Sequence, residues 1–173
     1  FAPKQFRIPR ELEQAIARAL AAGQTNYPPS DGVPELKRAV ADFYRETLAL
    51  DYPQNGILIA GGARPLIYSL FRAVLDPGDK VVYPVPSWNN NHYVHMLGAR
   101  GVPVVCGPES RFLPTSEALL NELPSARLVC LNSPLNPTGT AIDPEALRGI
   151  CEAILAENKR REASGERPVY LMY

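Results

Sequence analysis

A short strand that ends in a rigid polar turn is the feature that most constrains how this chain folds. The β-rich run at 127–131 leads directly into a turn at 132–139, which contains two asparagines, two prolines and a glycine. Asp143 and Pro144 then indicate a helix start, because Asp is a preferred N-cap and Pro suits the first helical position. Open α/β sheets bind ligands beyond the carboxyl ends of their strands. The turn therefore predicts a ligand-binding loop in which Asn136 is the residue of interest, although an Asn in such a turn can also simply cap its own backbone.

Two further strand ends have the same design. An apolar run at 57–60 predicts a strand that enters a glycine turn at 61–65, followed by a helix at 66–75. The run 80–83 predicts the next strand, and the loop after it carries Trp88, the only tryptophan. Strands that alternate with helices, with three such loops at strand ends, predict an α/β fold with a doubly wound, mostly parallel sheet.

The glycine turn has the features of a phosphate-binding cradle. Glycine lets the backbone approach an anion, and the first free N–H groups of the following helix point toward it. The turn lacks the spacing of a dinucleotide fingerprint or a P-loop, which argues against NAD and ATP. Most Gly-Gly turns merely reverse the chain, and a lone tryptophan is more often a core or interface residue. Both structural interpretations stay open on the residues alone.

The remaining elements follow from apolar periodicity and turn residues. Lys37 and the charged run 159–162 are expected on the surface. Further helices are predicted at 9–22, from Pro34 onward, and at 88–97, 115–123 and 143–161, with an edge strand at 102–106 and a last strand in the apolar run 169–173.

Composition excludes several classes of function. Eighteen basic and eighteen acidic residues cancel, so no global field attracts a nucleic acid. The three cysteines, Cys106, Cys130 and Cys151, show no CxxC spacing, and with only two histidines they predict no metal site. A reduced, cytoplasmic location is expected, and no apolar run is long enough to span a membrane.

The stretch 131–139, with its Asn136-Pro137-Thr138-Gly139 end, resembles a loop of the fold-type-I aminotransferases of class I/II, enzymes that use pyridoxal 5'-phosphate. The Tyr-x-Pro-x-x-Gly spacing that begins at Tyr27 and the glycine turn also match this family. The sequence Pro86-Ser87-Trp88 is typical of its aspartate aminotransferases. The resemblance covers nearly the whole chain, but only the N-terminal part of a family member.

The resemblance implies a role for each of these residues. Trp88 would stack on the pyridine ring, and Asn136 would contact the phenolic oxygen of the cofactor and the substrate carboxylate. Tyr27 would reach across a dimer interface to the phosphate bound by the neighbouring subunit, so a homodimer is expected. Binding of the phosphate is assigned to Gly62, Ala63 and Arg64.

The resemblance also shows what the chain lacks. Relatives carry a His three residues after the Trp, where this chain has Asn91, with His92 one place later. None of the four lysines stands in the family's Schiff-base context, so the catalytic residues are unknown and the Schiff-base Lys is expected beyond Tyr173. The expected organisation is N-terminal helices and an interface loop at 1–52, and the first part of a cofactor-binding domain at 53–173.

We therefore expect an N-terminal part of an aminotransferase that is not catalytic alone. The implied substrates are an amino acid, with aspartate as the suggested donor, and a 2-oxo acid. Three alternatives would keep most of the same residues. They are a carbon–sulfur lyase or decarboxylase of the same fold, an aminotransferase-like sensor domain of a transcription regulator, and a degenerate scaffold without the lysine.

Overall fold

The computed structural model describes residues 7–173, and its backbone forms two compact units. The first unit ends at Gly61, and the second spans Gly62–Tyr173. The domain assignment made from the sequence, with its boundary at 52/53, concerns the whole protein and stays a prediction.

Within residues 7–61, the first unit contains two helices, α1 at Arg10–Ala21 and α2 at Pro34–Leu48, and a single 3-10 turn at Gln54–Gly56. Both helices occur where the sequence predicts them. The predicted apolar face of α1 is exposed within this unit, and it consists of Leu12, Ile16 and Leu20.

Two predictions for this unit are wrong. Residues 57–60 form no strand, because one backbone hydrogen bond, from the N–H of Ile59 to the carbonyl of Asp31, does not make a ladder with any described segment. Lys37 is not a surface residue. It is only 8% exposed, and its ammonium group pairs with the carboxylate of Asp31.

The second unit is built on a parallel sheet of four strands in the order β2-β1-β3-β4. Every neighbouring pair in this sheet is parallel, and Val82 of β1 lies beside Val129 of β3. The predicted edge position of β2 is confirmed. The strands are β1 Lys80–Val85, β2 Arg100–Val105, β3 Ala126–Cys130 and β4 Tyr170–Met172.

Helices cover both faces of the sheet, which confirms the predicted α/β class. On one face Val82 packs in a buried cluster with Ile150. On the other face Val81 packs with Phe71 and Tyr93, because successive strand residues point to opposite faces. The helices are α3 Ala63–Val74, α4 Asn90–Met96, α5 Ser116–Leu120 and α6 Pro144–Ser164. No helix within residues 7–173 combines the length and apolarity needed to cross a membrane.

Helix α6 begins as predicted, since Asp143 Oδ1 accepts from the backbone N–H of Glu145 at 2.9 Å. Its charged end differs from the prediction, because Arg161 is only 6% exposed. The guanidinium donates to the carbonyl oxygens of Leu123 and Ala126, both at 2.8 Å. Ile150, Ile154 and Arg161 are the buried residues of α6, and they recur at helical spacing on one face. The charges of this segment led to the wrong prediction that Arg161 lies on the surface, whereas the helical spacing of the buried residues predicts that it is buried.

Glu157 completes the contacts of Arg161 and should make folding sensitive to acid. Hydrogen bonds from Arg160 and Arg161 lower the pKa of Glu157 from 4.5 to about 2. Because the folded pKa lies below the unfolded value, this stabilisation is present above about pH 4.5 and is lost as the pH falls toward 2. Glu157→Gln should lower the free energy of unfolding at pH 7 by about 1.5–3 kcal/mol, as for hydrogen bonds to charged groups.

Urea unfolding at several pH values checks this expectation. The difference in unfolding free energy between wild type and Glu157→Gln should narrow as the pH falls from 4.5 toward 2, whereas Glu162→Gln, an exposed change on the same helix, should have little effect at any pH. A difference that does not depend on pH would contradict the assignment.

Gly62, the residue before α3, adopts a backbone conformation that favours glycine, with φ 126° and ψ 169°. Gly62→Ala should destabilise the protein by about 1–3 kcal/mol through backbone strain, although an added Cβ would meet no atom within 4 Å. Gly61→Ala is the matched control, since Gly61 has neither positive φ nor a crowded Cβ position. The urea midpoint should fall for Gly62→Ala alone, and equal midpoints for the two variants would refute the strain argument.

Candidate functional site

A pocket of about 370 Å³ lies beyond the carboxyl ends of the central strands of the second unit. Because β1 and β3 are neighbours and parallel, the loops that follow them meet at one edge of the sheet. The volume lies within the range of small-molecule sites, about 300–1,000 Å³. The pocket is lined by Ala63, Ile67, Pro84, Ser87, Trp88, Asn90, Cys130, Leu131, Asn132, Leu135, Asn136, Met172 and Tyr173.

Three of the predicted site residues, Ala63, Trp88 and Asn136, line this one pocket although they are far apart in the sequence. Each lies at or just beyond the start of a helix or the end of a strand, which is where parallel topology brings loops together. The pocket therefore joins the glycine turn, the tryptophan loop and the asparagine loop.

The loop that carries Asn136 is held by its own hydrogen bonds. Asn132 Oδ1 accepts from the backbone N–H of Asn136 at 3.0 Å, and Ser133 Oγ accepts from the N–H of Ile142 at 2.9 Å. Leu135 is buried beneath the loop, and its backbone N–H donates to the carbonyl of Thr140 at 2.8 Å. The loop is thus fixed at both ends and in the middle.

The side chain that caps this turn belongs to Asn132 and not to Asn136. No described residue forms a hydrogen bond with the side-chain amide of Asn136, which lines the pocket and is exposed. An amide offers both donors and an acceptor, so Asn136 can bond a ligand oxygen without breaking any contact that holds the loop. This geometry argues against the simple capping interpretation.

The loop after β1 places an aromatic ring at the mouth of the pocket. Trp88 is 57% exposed, so its ring is not consumed by core packing. Asn90 lines the same pocket and its amide nitrogen lies 3.4 Å from Ser87 Oγ. An exposed indole beside polar groups can stack on a planar ligand.

Position 91 does not contribute to the pocket. Asn91 and His92 are both exposed on α4, and His92 instead lines a neighbouring groove. His92 therefore does not stand in for the His that the relatives carry at position 91 as a residue of this pocket.

The start of α3 supplies the anion-binding features of the site. No side chain among residues 7–173 caps this helix at Gly62, and Ala63, the first helical residue, lines the pocket. Backbone N–H groups in the first turn of a 12-residue helix carry the positive end of its dipole. The side chain of Arg64 lies in the neighbouring groove with Tyr68. Any contribution of Arg64 to this pocket would therefore come from its backbone.

No charged side chain of the described chain lines the pocket. The lining residue Cys130 is also neutral, because burial raises the pKa of its thiol well above the ordinary value and keeps it protonated. The described residues also form no cluster of His, Cys, Asp or Glu that could hold a metal. An anion in this pocket would be held by helix N–H groups and amides.

Tyr27 belongs to the first compact unit and is fully exposed in the loop before α2. Its ring has no partner in the aromatic pairs of the described chain. The phenol is therefore free to contact another molecule.

Sequence reasoning missed several lining residues. The loops that carry Trp88 and Asn136 also contain Ser87, Asn90 and Asn132, whose residue types are common in turns and do not by themselves indicate a ligand. Cys130 and Met172 end their strands among residues that look like ordinary core. Their position at a strand's carboxyl end was the available signal.

Comparison with known proteins agrees with this geometry. The chain matches the family model "Aminotransferase class I and II" over residues 2–159. It is 36% identical over 152 residues to the aspartate aminotransferase of Rhizobium meliloti strain 1021, covering 87% of this chain and 37% of that protein. The same identity over 152 residues relates it to a probable aspartate/prephenate aminotransferase of Thermus aquaticus, covering 87% of this chain and 40% of that protein.

A solved structure shares the fold. The aspartate aminotransferase from Thermus thermophilus, with maleate, superposes with a TM-score of 0.87 at 31% identity, covering 96% of this chain and 41% of that one. The chain thus spans about 40% of the length of the relatives it matches. The family match extends over most of the chain and includes the three loops that form the pocket, so this chain belongs to the class I and II aminotransferase family.

Proposed function

We propose that the protein containing this chain is a pyridoxal-phosphate-dependent aminotransferase, which moves an amino group from an amino acid to a 2-oxo acid. The observation that carries this proposal is the convergence of the uncapped start of α3, Trp88 and the unbonded amide of Asn136 in one pocket. When bound, the cofactor supplies an aldehyde that takes up the amino group and a ring that withdraws electrons from the substrate carbon.

The phosphate is assigned to backbone donors of the glycine turn. The N–H groups of Gly62, Ala63 and Arg64 precede or begin α3, and the next residue, Pro65, has no N–H to offer. The Cα side of Gly62 is open, since no atom lies within 4 Å of a Cβ position there. The positive end of the α3 dipole favours an anion at this position, so binding does not require a side-chain cation.

Trp88 and Asn136 are assigned to the ring and to the oxygens around it. The exposed indole would stack on the pyridine ring and keep water from that face. The free amide of Asn136 would donate to the phenolic oxygen and to the substrate carboxylate. Asn132 holds the backbone of Asn136, so this donor would be oriented before the ligand arrives.

Other parts of the reaction are assigned outside this chain or to a second copy of it. We assign the lysine that binds the cofactor aldehyde to a segment beyond Tyr173, and the exposed phenol of Tyr27 to the phosphate site of the other subunit in a homodimer. We place the protein in the cytoplasm, since Cys106, Cys130 and Cys151 are all free thiols.

Aspartate is the proposed donor. The sequence Pro86-Ser87-Trp88 is typical of aspartate aminotransferases, and the relatives named above carry the names aspartate or aspartate/prephenate aminotransferase. The Thermus thermophilus structure holds maleate, which is a dicarboxylate like aspartate. A 2-oxo acid would then accept the amino group.

The visible absorbance spectrum of the full-length protein tests this function. With pyridoxal phosphate it should show an absorbance band of the bound cofactor, and L-aspartate should convert that band to the spectrum of pyridoxamine phosphate. A band that persists with L-aspartate and with other amino acids would favour the sensor, and release of a decarboxylated or sulfur-free product would favour a decarboxylase or lyase. Absence of any band would refute the cofactor assignment.

Substitutions at Trp88 test the stacking role. Trp88→Phe keeps a planar ring, whereas Trp88→Leu keeps only apolar bulk. Trp88→Leu should weaken pyridoxal phosphate binding about two- to tenfold more than Trp88→Phe, which corresponds to an aromatic pair. Titration followed by absorbance gives both affinities, and equal losses would contradict a stacked ring.

A further inference from the structure

Lys37 is buried, and it lies at a position in its helix that is unfavourable for a cation. It is only 8% exposed, and lysine is rarely buried to this extent unless it is paired. It also lies near the N-terminus of α2, where the helix dipole disfavours a cation. Its ammonium donates to the carboxylate of Asp31, which is six residues earlier in the chain. The position therefore suits a residue that holds this particular geometry.

Asp31 lies near the end of the loop that carries Tyr27. Its backbone carbonyl accepts from the N–H of Ile59 at 3.0 Å. Gly32 follows with φ 104°, and a Cβ there would lie 2.6 Å from Ile59 Cβ, so glycine is needed for this contact. The end of the loop is thus attached to α2 through Lys37 and to residue 59 through the backbone.

Tyr27 itself receives no such support from residues 7–173. Its side chain is fully exposed, and it stands four residues before Asp31 in a loop rich in proline. Two prolines and a fixed end restrict the conformations available between these residues. The position of the phenol consequently depends on where the Asp31 end of the loop is held.

We propose that Lys37 and Asp31 are positioning residues that hold the Tyr27 loop so that its phenol reaches the cofactor phosphate bound by a second copy of the chain. This inference rests on the proposed function. Neither residue is assigned a contact with the cofactor, since the Lys37 ammonium is paired with Asp31. The pair acts through Tyr27 alone.

Removal of the Lys37 charge should be tolerated by the fold. The Asp31 side chain is 53% exposed, so water can solvate its carboxylate when the partner is absent. Lys37→Met keeps the apolar stem of the side chain in place. Lys37→Arg restores a cation and serves as the conservative variant. Arg38→Met removes an exposed cation from the next position of α2 and serves as the matched control.

The test compares two ligands in the full-length protein. Pyridoxal phosphate and pyridoxal share the same ring and aldehyde, but only the first has a phosphate. Their dissociation constants are measured by absorbance titration for wild type, Lys37→Met, Lys37→Arg, Arg38→Met, Tyr27→Phe and the double variant Lys37→Met/Tyr27→Phe. Thermal unfolding of the ligand-free proteins reports whether each variant is folded.

Lys37→Met should weaken pyridoxal phosphate binding about tenfold and leave pyridoxal binding unchanged, as expected for loss of one hydrogen bond to a charged group. Tyr27→Phe should have the same phosphate-specific effect. The double variant should be no weaker than Tyr27→Phe alone, because the pair acts only through this phenol. Lys37→Arg should recover most of the affinity, and Arg38→Met should resemble wild type.

Three results would overturn the inference in different ways. In the first, Tyr27→Phe weakens the binding of pyridoxal phosphate, but Lys37→Met weakens the binding of both ligands equally, has no effect, or weakens binding further when combined with Tyr27→Phe. The pair then does not position Tyr27, and the proposed function stands. If wild type binds no pyridoxal phosphate, the proposed function fails and the inference fails with it. If Tyr27→Phe leaves the preference for phosphate unchanged, the assignment of Tyr27 and this inference fail together.

Discussion

The parallel pairing of β1 and β3 is the interaction on which the rest of the second unit depends. Val81, Val82, Leu128 and Val129 are fully buried, so these strands are covered on both faces. Parallel strands of this kind require helical crossovers, and the crossovers provide the cover. Because both strands point the same way, their following loops meet at one edge. The pocket is a direct consequence of that direction.

Arg161 shows how the opposite end of the sheet is secured. Its guanidinium donates to the carbonyls of Leu123, Ala126 and Arg167 and to the carboxylate of Glu157. These bonds attach the end of α6 to the segments that enter β3 and β4. A buried charge is tolerated here because the guanidinium is paired with a carboxylate and hydrogen-bonded to backbone carbonyl oxygens. These bonds thus hold together the end of the sheet that lies opposite the pocket.

The neutrality of the pocket limits how it can recognise ligands. Because no charged side chain of the described chain lines the pocket, the donors that this chain itself offers to an anion there are the α3 N-terminus and neutral polar side chains such as the amides of Asn132 and Asn136. Such donors are directional, so they favour ligands whose oxygens lie in fixed positions. Trp88 adds a flat apolar surface. Together they favour a rigid aromatic ring that carries an anionic group.

The α/β class, most helices and strands, and the three loops that carry Ala63, Trp88 and Asn136 can be predicted from the sequence, because apolar periodicity, turn residues and helix caps are local properties. That residues 57–60 have no strand partner can be seen only in the folded structure, since strand formation depends on a neighbour distant in the chain. Tertiary structure also decided the burial of Lys37 and Arg161, because a charged side chain can be buried wherever the folded chain supplies partners that local sequence does not reveal. For the same reason only the fold could distinguish Asn132, which caps the turn, from Asn136, whose amide is free for a ligand.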